Sequence, residues 1–280
     1  MKCSNCGEEV RSHERICVAC GRDCGYPNVR AAEASEEIRV LENRVRAAEA
    51  AAASRGCEAE LATFRDAVKT STAVLSRSLG VARNLLSNDN ELYATFYQLV
   101  GMGARRPEET SVERERLLAD DLVFPHYGEH IRFAALSLDG RGLPHFGDCT
   151  LVLKDISIRE RATVFEENSV YFCKKRNLGL RRGVPPGFRA VWTRRDELAA
   201  AKLENNLSPG TAADEFAGIL MKSGSKAKDA DFVEVHIYGL LHRRSVASVT
   251  VRNPTRRADR AILKEMERDL TAIGVKFETY

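Results

Sequence analysis

Cysteines are concentrated at the start of the sequence, where five of the eight fall within the first 24 residues. Four of them have the spacing C-x2-C-x10-C-x2-C: Cys3, Cys6, Cys17 and Cys20. Two short CxxC turns can direct four thiolates at one tetrahedral ion, as zinc–sulfur bonds of about 2.3 Å require. A glycine, Gly7 or Gly21, follows the second cysteine of each pair and readily adopts the positive φ that such a turn needs. The spacing therefore predicts a structural zinc site.

Residues 1–27 resemble a bacterial zinc ribbon, which is too short to build a hydrophobic core, so metal binding would supply its folding energy. A redox dithiol and a disulfide framework are the alternatives. Zinc is favoured because no secretory signal pattern is present and cytosolic thiols stay reduced. Cys24 and His13 are substitute ligands that the four-cysteine set does not need. Three isolated cysteines are predicted to pack as small hydrophobic residues: Cys57, Cys149 and Cys173.

A second candidate site lies on the strand pattern DFVEVHIYG, in which Glu234, His236 and Tyr238 alternate with valine and isoleucine. Successive side chains of a strand point to opposite faces, so the carboxylate, the imidazole and the phenol share one face. They line a cleft if the strand is central in a sheet, and they face solvent if it is an amphipathic surface strand.

The order of motifs around this strand is HFGDCTLVLKD, RATVFEENS, FVEVHIYGLL and SVASVTV. This order resembles the mono-ADP-ribosyltransferase fold, and in particular its bacterial toxin-like members, over roughly residues 122–273. The resemblance implies transfer of ADP-ribose from NAD to a macromolecular acceptor, for example by an intracellular toxin or an antiviral (phage) defence effector.

The resemblance also implies roles for individual residues. Glu234 would be the catalytic carboxylate that stabilises an oxocarbenium-like transition state, and Ser169 would belong to the nicotinamide pocket. Arg132 would hold the pyrophosphate, with His130 as the competing choice. Further NAD contacts are implied for four residues: Arg161, Thr163, Asn168 and His236.

The sequence departs from the family pattern at two of its positions. Asn168 stands where the toxin-like members of that family carry Asp. Phe232 stands two residues before Glu234, where enzymes that modify arginine carry a second acid. Modification of arginine is therefore not expected.

A third candidate is the basic segment, residues 174–195, with eight Lys and Arg and no Asp or Glu: Lys174, Lys175, Arg176, Arg181, Arg182, Arg189, Arg194 and Arg195. Aromatic residues are interleaved with them, as on surfaces that hold phosphates and stack bases. The segment predicts a contact with nucleic acid. Nucleic acid would then be the acceptor of the transferase, or the chain would be a non-catalytic zinc-ribbon module that binds nucleic acid or protein. The alternative is neutralisation by acids elsewhere, such as Glu113, Glu115, Asp120 and Asp121.

Three segments would position these groups: the ribbon, a helical spacer at 28–121, and an α+β domain with a mixed sheet at 122–280. The spacer is rich in Ala, Glu and Arg, and its helical periodicity runs on through Thr72, Val74 and Leu75 to a last helix at Glu91–Val100.

A coiled-coil-like seam with spacings of three and four runs along the spacer: Ile38, Leu41, Val45, Ala48 and Ala52. It either packs on the chain itself or supports a homodimer through residues 29–53.

Composition narrows the protein class. The 280 residues are 44% hydrophobic and 30% charged, enough to bury a core in about two domains and unlike disordered or collagen-like chains. The net charge of +3 argues against coating nucleic acid by bulk charge. No run of about 18 apolar residues occurs, so we expect a cytoplasmic chain without membrane spans. Glycine fingerprints of Rossmann and P-loop proteins are absent from the sequence.

Overall fold

The computed structural model of the chain describes residues 1–89, 111–179, 183–224, 227–253 and 256–280. The predicted helix Glu91–Val100 and the basic residues Arg181 and Arg182 lie outside these ranges. Within them the chain is a mixed α+β fold that carries the cysteine cluster near its N-terminus.

The strands of the described residues are β1 (Thr72–Arg77), β2 (Ile131–Ser137), β3 (Cys149–Leu153), β4 (Ala162–Phe165), β5 (Arg189–Val191), β6 (Met221–Lys222), β7 (Asp231–Phe232), β8 (Glu234–Tyr238), β9 (Val246–Val251) and β10 (Lys276–Thr279). The helices are α1 (Pro27–Ala32), α2 (Ser35–Arg55), α3 (Glu58–Lys69), α4 (Leu79–Leu86), α5 (Ser111–Val123), α6 (Asp155–Ile158), α7 (Ser169–Lys175), α8 (Arg195–Leu203), α9 (Phe216–Leu220) and α10 (Arg257–Thr271).

Eight strands form one mixed sheet in the order β10-β9-β3-β1-β2-β8-β4-β5, and β6 pairs with β7 separately. Neighbours in the large sheet are antiparallel except β9 and β10, which are parallel. Strand β8 is therefore an interior strand, held between β2 and β4. The predicted mixed sheet is confirmed. Strand β8 is central in it, which is the alternative in which its row of polar side chains is enclosed and does not face solvent.

One face of the sheet carries the main core. Val235 and Ile237 of β8 point to this face, where α2, α3 and α8 cover one half and α4 and α10 cover the other. The seam residues Leu41, Val45, Ala48 and Ala52 are buried within the chain, and α2 packs against α8. The seam therefore packs intramolecularly, which leaves it unavailable for the alternative, a homodimer through residues 29–53.

The other face carries a smaller, aromatic core under α5 and α7. Phe124 of the segment after α5 and Phe172 of α7 pack there against Phe165 and Ile131 of the sheet. Among the residues that the structure describes, no helix combines the length and the hydrophobicity of a membrane span.

The prediction that residues 28–121 are helical throughout is wrong at residues 72–77. These residues form β1, which lies between β3 and β2 and is buried on both faces. A short apolar run without a polar face has no period that separates a strand from a buried helix. The spacer therefore supplies a strand to the same sheet as β8.

Candidate functional site

The four predicted zinc ligands lie together. The sulfur atoms of Cys3, Cys6, Cys17 and Cys20 are within 4.8 Å of one another. Cys3 and Cys20 are 3.7 Å apart and Cys6 and Cys17 are 3.6 Å apart, sulfur to sulfur. Bonds of about 2.3 Å in a tetrahedron place sulfurs about 3.8 Å apart. The free thiols can therefore hold a metal ion, and their number and spacing suit zinc.

Two similar turns present these thiols. Gly7 has φ +76° and Gly21 has φ +72°, as the sequence predicts. The Gly7 N–H donates to the Cys3 carbonyl at 2.9 Å, and the Gly21 N–H donates to the Cys17 carbonyl at 2.8 Å. Because each CxxC segment closes in the same way, both pairs of sulfurs face the centre of the ribbon.

Each ionised thiol of the cluster makes it harder for its neighbours to ionise. Backbone N–H groups of Asn5 and Cys6 lower the pKa of Cys3 to about 6. The pKa of Cys6 rises to about 12 although the Glu8 N–H opposes the rise, because Cys20 and Cys17 compete with it for protons. A divalent cation removes this opposition by neutralising the thiolates together.

The two substitute ligands stand outside the cluster. The thiol of Cys24 packs beside Cys3 and Cys17 but donates to the Arg22 carbonyl at 3.6 Å. The ring of His13 faces His126 with 5.2 Å between ring centroids. Neither belongs to the group of atoms within metal-binding distance.

Arg30 of α1 ties the ribbon to the rest of the chain. Its guanidinium donates to five ribbon carbonyls at 2.8–3.3 Å: Arg11, Ser12, Glu14, Cys24 and Gly25. Tyr26 meets Tyr238 of β8 with ring centroids 5.5 Å apart. The ribbon is thus docked beside the exposed end of the polar row on β8.

Glu234 and His236 form a buried pair on the aromatic face of the sheet, each only 2% exposed. His236 Nε2 lies 2.9 Å from Glu234 Oε2. An ionised carboxylate only accepts hydrogen bonds, so Nε2 carries the proton and Nδ1 keeps its lone pair. The row predicted from alternation is thereby enclosed at two of its three residues, and Tyr238 ends it half-buried.

The start of α7 completes the cluster. The Ser169 N–H donates to Glu234 Oε2 at 2.9 Å, and Asn168 Nδ2 donates to Glu234 Oε1 at 3.1 Å. Asn168 Oδ1 also caps α7 by accepting from the N–H groups of Val170 and Tyr171. The Ser169 hydroxyl oxygen is buried and has no hydrogen-bond partner among the residues that the structure describes.

The surroundings keep Glu234 ionised and His236 neutral. Burial disfavours the carboxylate, but the His236 hydrogen bond, the Arg116 charge and the Ser169 N–H outweigh it, so the pKa of Glu234 lies below its usual range. Burial lowers the pKa of His236, although Glu234 opposes that shift. Three rings surround the imidazole at centroid distances of 4.6–5.4 Å: Phe124, Phe133 and Phe165.

Three more of the predicted site residues lie at different places around the cluster. Thr163 lies opposite His236 in the β4–β8 register and so shares its face. His130 is exposed at the rim, with its ring 5.3 Å from that of Tyr238. Arg161 donates from Nε to the Ser157 carbonyl and from Nη1 to the Tyr238 carbonyl, and so holds backbone.

Arg132 is not brought to the cluster. Its register partner on β8 is Ile237, whereas Phe133 is the partner of His236. The side chain therefore points to the opposite face of the sheet, where it is 1% exposed and Nη1 donates to the His130 carbonyl. Burial lowers its pKa to about 10. An offset of one residue along a strand is enough to exchange the faces.

The basic segment is largely neutralised in its described part. Lys174 pairs with Glu115, one of the predicted acids, and Lys175 pairs with Glu167. Arg176, Arg189 and Arg194 also pair with carboxylates. The Arg195 guanidinium lies over Trp192 and donates to its carbonyl. Of the two alternatives, neutralisation by carboxylates describes five of these six residues, and Arg195 instead donates to uncharged oxygens.

Asn28 also contacts the strands of the cluster, and the sequence does not predict it. It is 2% exposed, and its Nδ2 donates to the carbonyls of Arg161 and His236 at 3.0 and 3.2 Å. It thus links the chain just after the ribbon to strand β8. Only Pro27, typical of a first helical turn, marks this position in the sequence.

The isolated cysteines Cys57, Cys149 and Cys173 are buried, as predicted. Burial raises the pKa of Cys149 to about 12 and that of Cys173 to about 11, so neither is a ready nucleophile.

A scan against protein-family models and a search of curated proteins each found no match for this chain.

Proposed function

We propose that the chain transfers ADP-ribose from NAD, with the Glu234 carboxylate at the reaction centre and one structural zinc ion in the four-cysteine ribbon. The observation that supports it most is the convergence of Glu234 with Asn168 and Ser169, which stand 66 and 65 positions earlier in the chain, respectively. The resemblance implies the same association. His236 and Thr163, which it also implies, share that face.

The proposed chemistry uses the charge of Glu234. The C1′–N bond between ribose and nicotinamide breaks, and nicotinamide leaves as a neutral molecule with the bonding electrons. The ribose is left as an oxocarbenium-like cation. An ionised carboxylate in a site of low polarity stabilises such a positive charge better than the same group in water. The lowered pKa of Glu234 keeps that charge available at neutral pH.

The acceptor then bonds to C1′ and loses a proton. His236 is placed to receive it, because Nε2–H is held by Glu234 while Nδ1 retains a lone pair. This carboxylate–imidazole arrangement fixes the tautomer, as in other general-base dyads. NAD and a protonated acceptor thus become ADP-ribosyl acceptor, nicotinamide and one proton.

Two features of the family expectation change. Arg132 has no part in the proposal, since it lies on the other face of the sheet. Arg116 replaces it as the proposed pyrophosphate contact, because its guanidinium lies 4.0 Å over the Phe133 ring on the side of His236. Five described cations of the basic segment pair with carboxylates, so the proposal gives no preference to a nucleic-acid acceptor.

The buried position of Glu234 sets a condition on the mechanism. Only 2% of the residue is exposed, so ribose can reach the carboxylate only after α5 or α7 moves from the sheet. NAD binding should therefore increase amide hydrogen exchange in α5 or at the start of α7 before any turnover.

The test is nicotinamide release from NAD by the full chain loaded with zinc, with water and the chain itself as acceptors. Glu234→Gln keeps the shape and should lower the rate by about a hundredfold or more. Glu204→Gln is the matched control, because Glu204 is also buried but pairs with Arg55. Absence of both nicotinamide release and NAD binding by calorimetry would overturn the proposal.

A further inference from the structure

Among the residues that the structure describes, no strand pairs with the outer side of β10, so this edge of the eight-stranded sheet is open. It is the outermost strand on its side, and Lys276, Glu278 and Thr279 are exposed. At the other edge, β5 is packed by α1 and α2. An open edge presents unpaired backbone groups and is a template for another strand.

The backbone groups that face outward can be assigned. The Tyr280 N–H donates to the Val251 carbonyl at 3.1 Å, and the Asn253 N–H donates to the Tyr280 carbonyl at 2.9 Å. Peptide groups alternate sides along a strand, so those of Phe277 and Thr279 point away from β9. The Tyr280 ring lies 5.0 Å from the Arg141 guanidinium, which helps to hold this end of the strand in place.

We propose that a second copy of this chain adds to β10 as an antiparallel strand, with Phe277 opposite Phe277 of the second copy. In this register Lys276 lies opposite Glu278 of the second copy, and the two-fold axis repeats the pair. Opposite charges directly across an antiparallel pair stabilise it, and like charges destabilise it.

The charges select this register over its neighbours. A shift that keeps outward groups paired moves the two-fold axis by one residue, to Lys276 or Glu278. Each residue at the axis then faces its own copy, so two lysines or two glutamates oppose each other. The sequence Lys-Phe-Glu is therefore self-complementary about Phe277 alone, which favours a second copy over an unrelated strand.

Phe277 gives the association an apolar centre. It is half-buried, lies opposite Val249 in the β9–β10 register, and packs against the main core. Pairing at the axis brings the two Phe277 rings together and covers their exposed parts. An interface this small predicts a weak dimer, so it must be measured over a range of protein concentrations.

The test is sedimentation equilibrium of the full chain with two charge reversals and their combination. The wild type should approach twice the 31.1 kDa chain mass as concentration rises. Lys276→Glu and Glu278→Lys should each weaken dimerisation about tenfold, because both symmetric pairs become repulsive. The double variant should restore it, because the charges are then exchanged across the axis.

Lys69→Glu is the control, since it reverses an exposed lysine of α3 far from β10 and should leave the dimer unchanged. Thermal unfolding of each variant verifies folding. A wild type that stays monomeric at its highest soluble concentration overturns the proposal. So do single variants that dimerise as well as the wild type, or a double variant that stays monomeric while the wild type dimerises.

Discussion

The cysteine ribbon and the Glu234 cluster concentrate polar groups in opposite ways. The ribbon draws its four thiols from residues 3–20, and two similar turns point them at one centre. The Glu234 cluster joins β8 to the start of α7 across 65 positions. The first depends on local turns, and the second depends on the register of a sheet.

The two regions also differ in what holds them. The buried hydrophobic residues of the ribbon are Cys3, Val10 and Cys17, too few for a core without metal. Glu234 and His236 lie between the sheet and two helices, over an extensive core on the other face. Loss of metal should therefore unfold the ribbon and leave the Glu234 cluster folded. Loss of Glu234 should disturb only the Glu234 cluster.

Metal removal is the largest expected effect. Chelation or Cys20→Ser should abolish zinc binding and unfold residues 1–27, because the ribbon has little core of its own. Hydrogen exchange with mass spectrometry should show full exchange in the ribbon and continued protection of β8. Cys24→Ser is the control and should keep one zinc per chain. Retention of stoichiometric zinc by Cys20→Ser would contradict the assignment of the ligands.

The substitution Glu234→Ala should have the next largest effect. It leaves the His236 and Ser169 N–H groups buried without their acceptor, and we expect a loss of about 3–5 kcal/mol in unfolding free energy. Urea denaturation measures it. Glu204→Ala should cost less, because its partner Arg55 is a third exposed and can turn to water. Equal losses for both variants would show that Glu234 has no special place in the fold.

Asn168→Asp tests why asparagine stands where the resembling family has aspartate. The change replaces a donor 3.1 Å from Glu234 with a second carboxylate, so we expect a loss of about 2 kcal/mol at pH 7. The folded pair would then retain a proton that the unfolded chain has released. The loss relative to the wild type should accordingly shrink as pH falls from 7 toward 5, as followed by denaturation of both proteins at each pH.

Asn168→Ser is the control for this change. It keeps an oxygen to cap α7 but adds no charge, so its loss of stability should not vary over the same pH range. A pH-independent loss for Asn168→Asp would contradict the close approach to Glu234.

His236 should make the wild type less stable in acid. Its pKa is lowered in the folded state by burial, so the unfolded chain takes up a proton first as pH falls below about 6.5. Stability is then complete above that pH and falls below it, by at most about 1.4 kcal/mol per pH unit. His236→Gln keeps a donor for Glu234 and should flatten the slope by about one proton. An unchanged slope would place the titration elsewhere.

Lys174→Gln should have the smallest effect. Its partner Glu115 is at the surface, and such pairs contribute less than about 1 kcal/mol. Denaturation measures the stability, and titration with single-stranded DNA tests for a nucleic-acid role. A large, salt-dependent loss of DNA affinity would reopen the nucleic-acid alternative for the basic segment.

Features that depend on local patterns were predicted from the sequence more successfully than features that depend on long-range strand pairing. The ribbon turns, the positive φ of Gly7 and Gly21 and the shared face of Glu234 and His236 all follow from spacing along a few residues. Residues 72–77 were predicted as helix because a strand buried on both faces shows no alternation. The resemblance places Arg132 in the site, but its face depends on the β2–β8 register, which no local pattern encodes.

The basic segment illustrates the same limit for charge. Eight cations in 22 residues are visible in the sequence, but the five described ones that pair with carboxylates find them on α2, α5, α8 and the segment before α7. Local charge density therefore overstated the field that the described residues present to a partner.

By itself, the sequence determined the turns that bring the four ribbon cysteines together and the alternation that puts Glu234 beside His236, because turn geometry and strand period act over a few residues. Only the tertiary structure decided that Asn168 and Ser169 meet Glu234, that Arg132 faces away, and that the seam of α2 is buried. Those outcomes depend on which strands pair and in which register, and a chain settles them by burying its apolar surface as a whole.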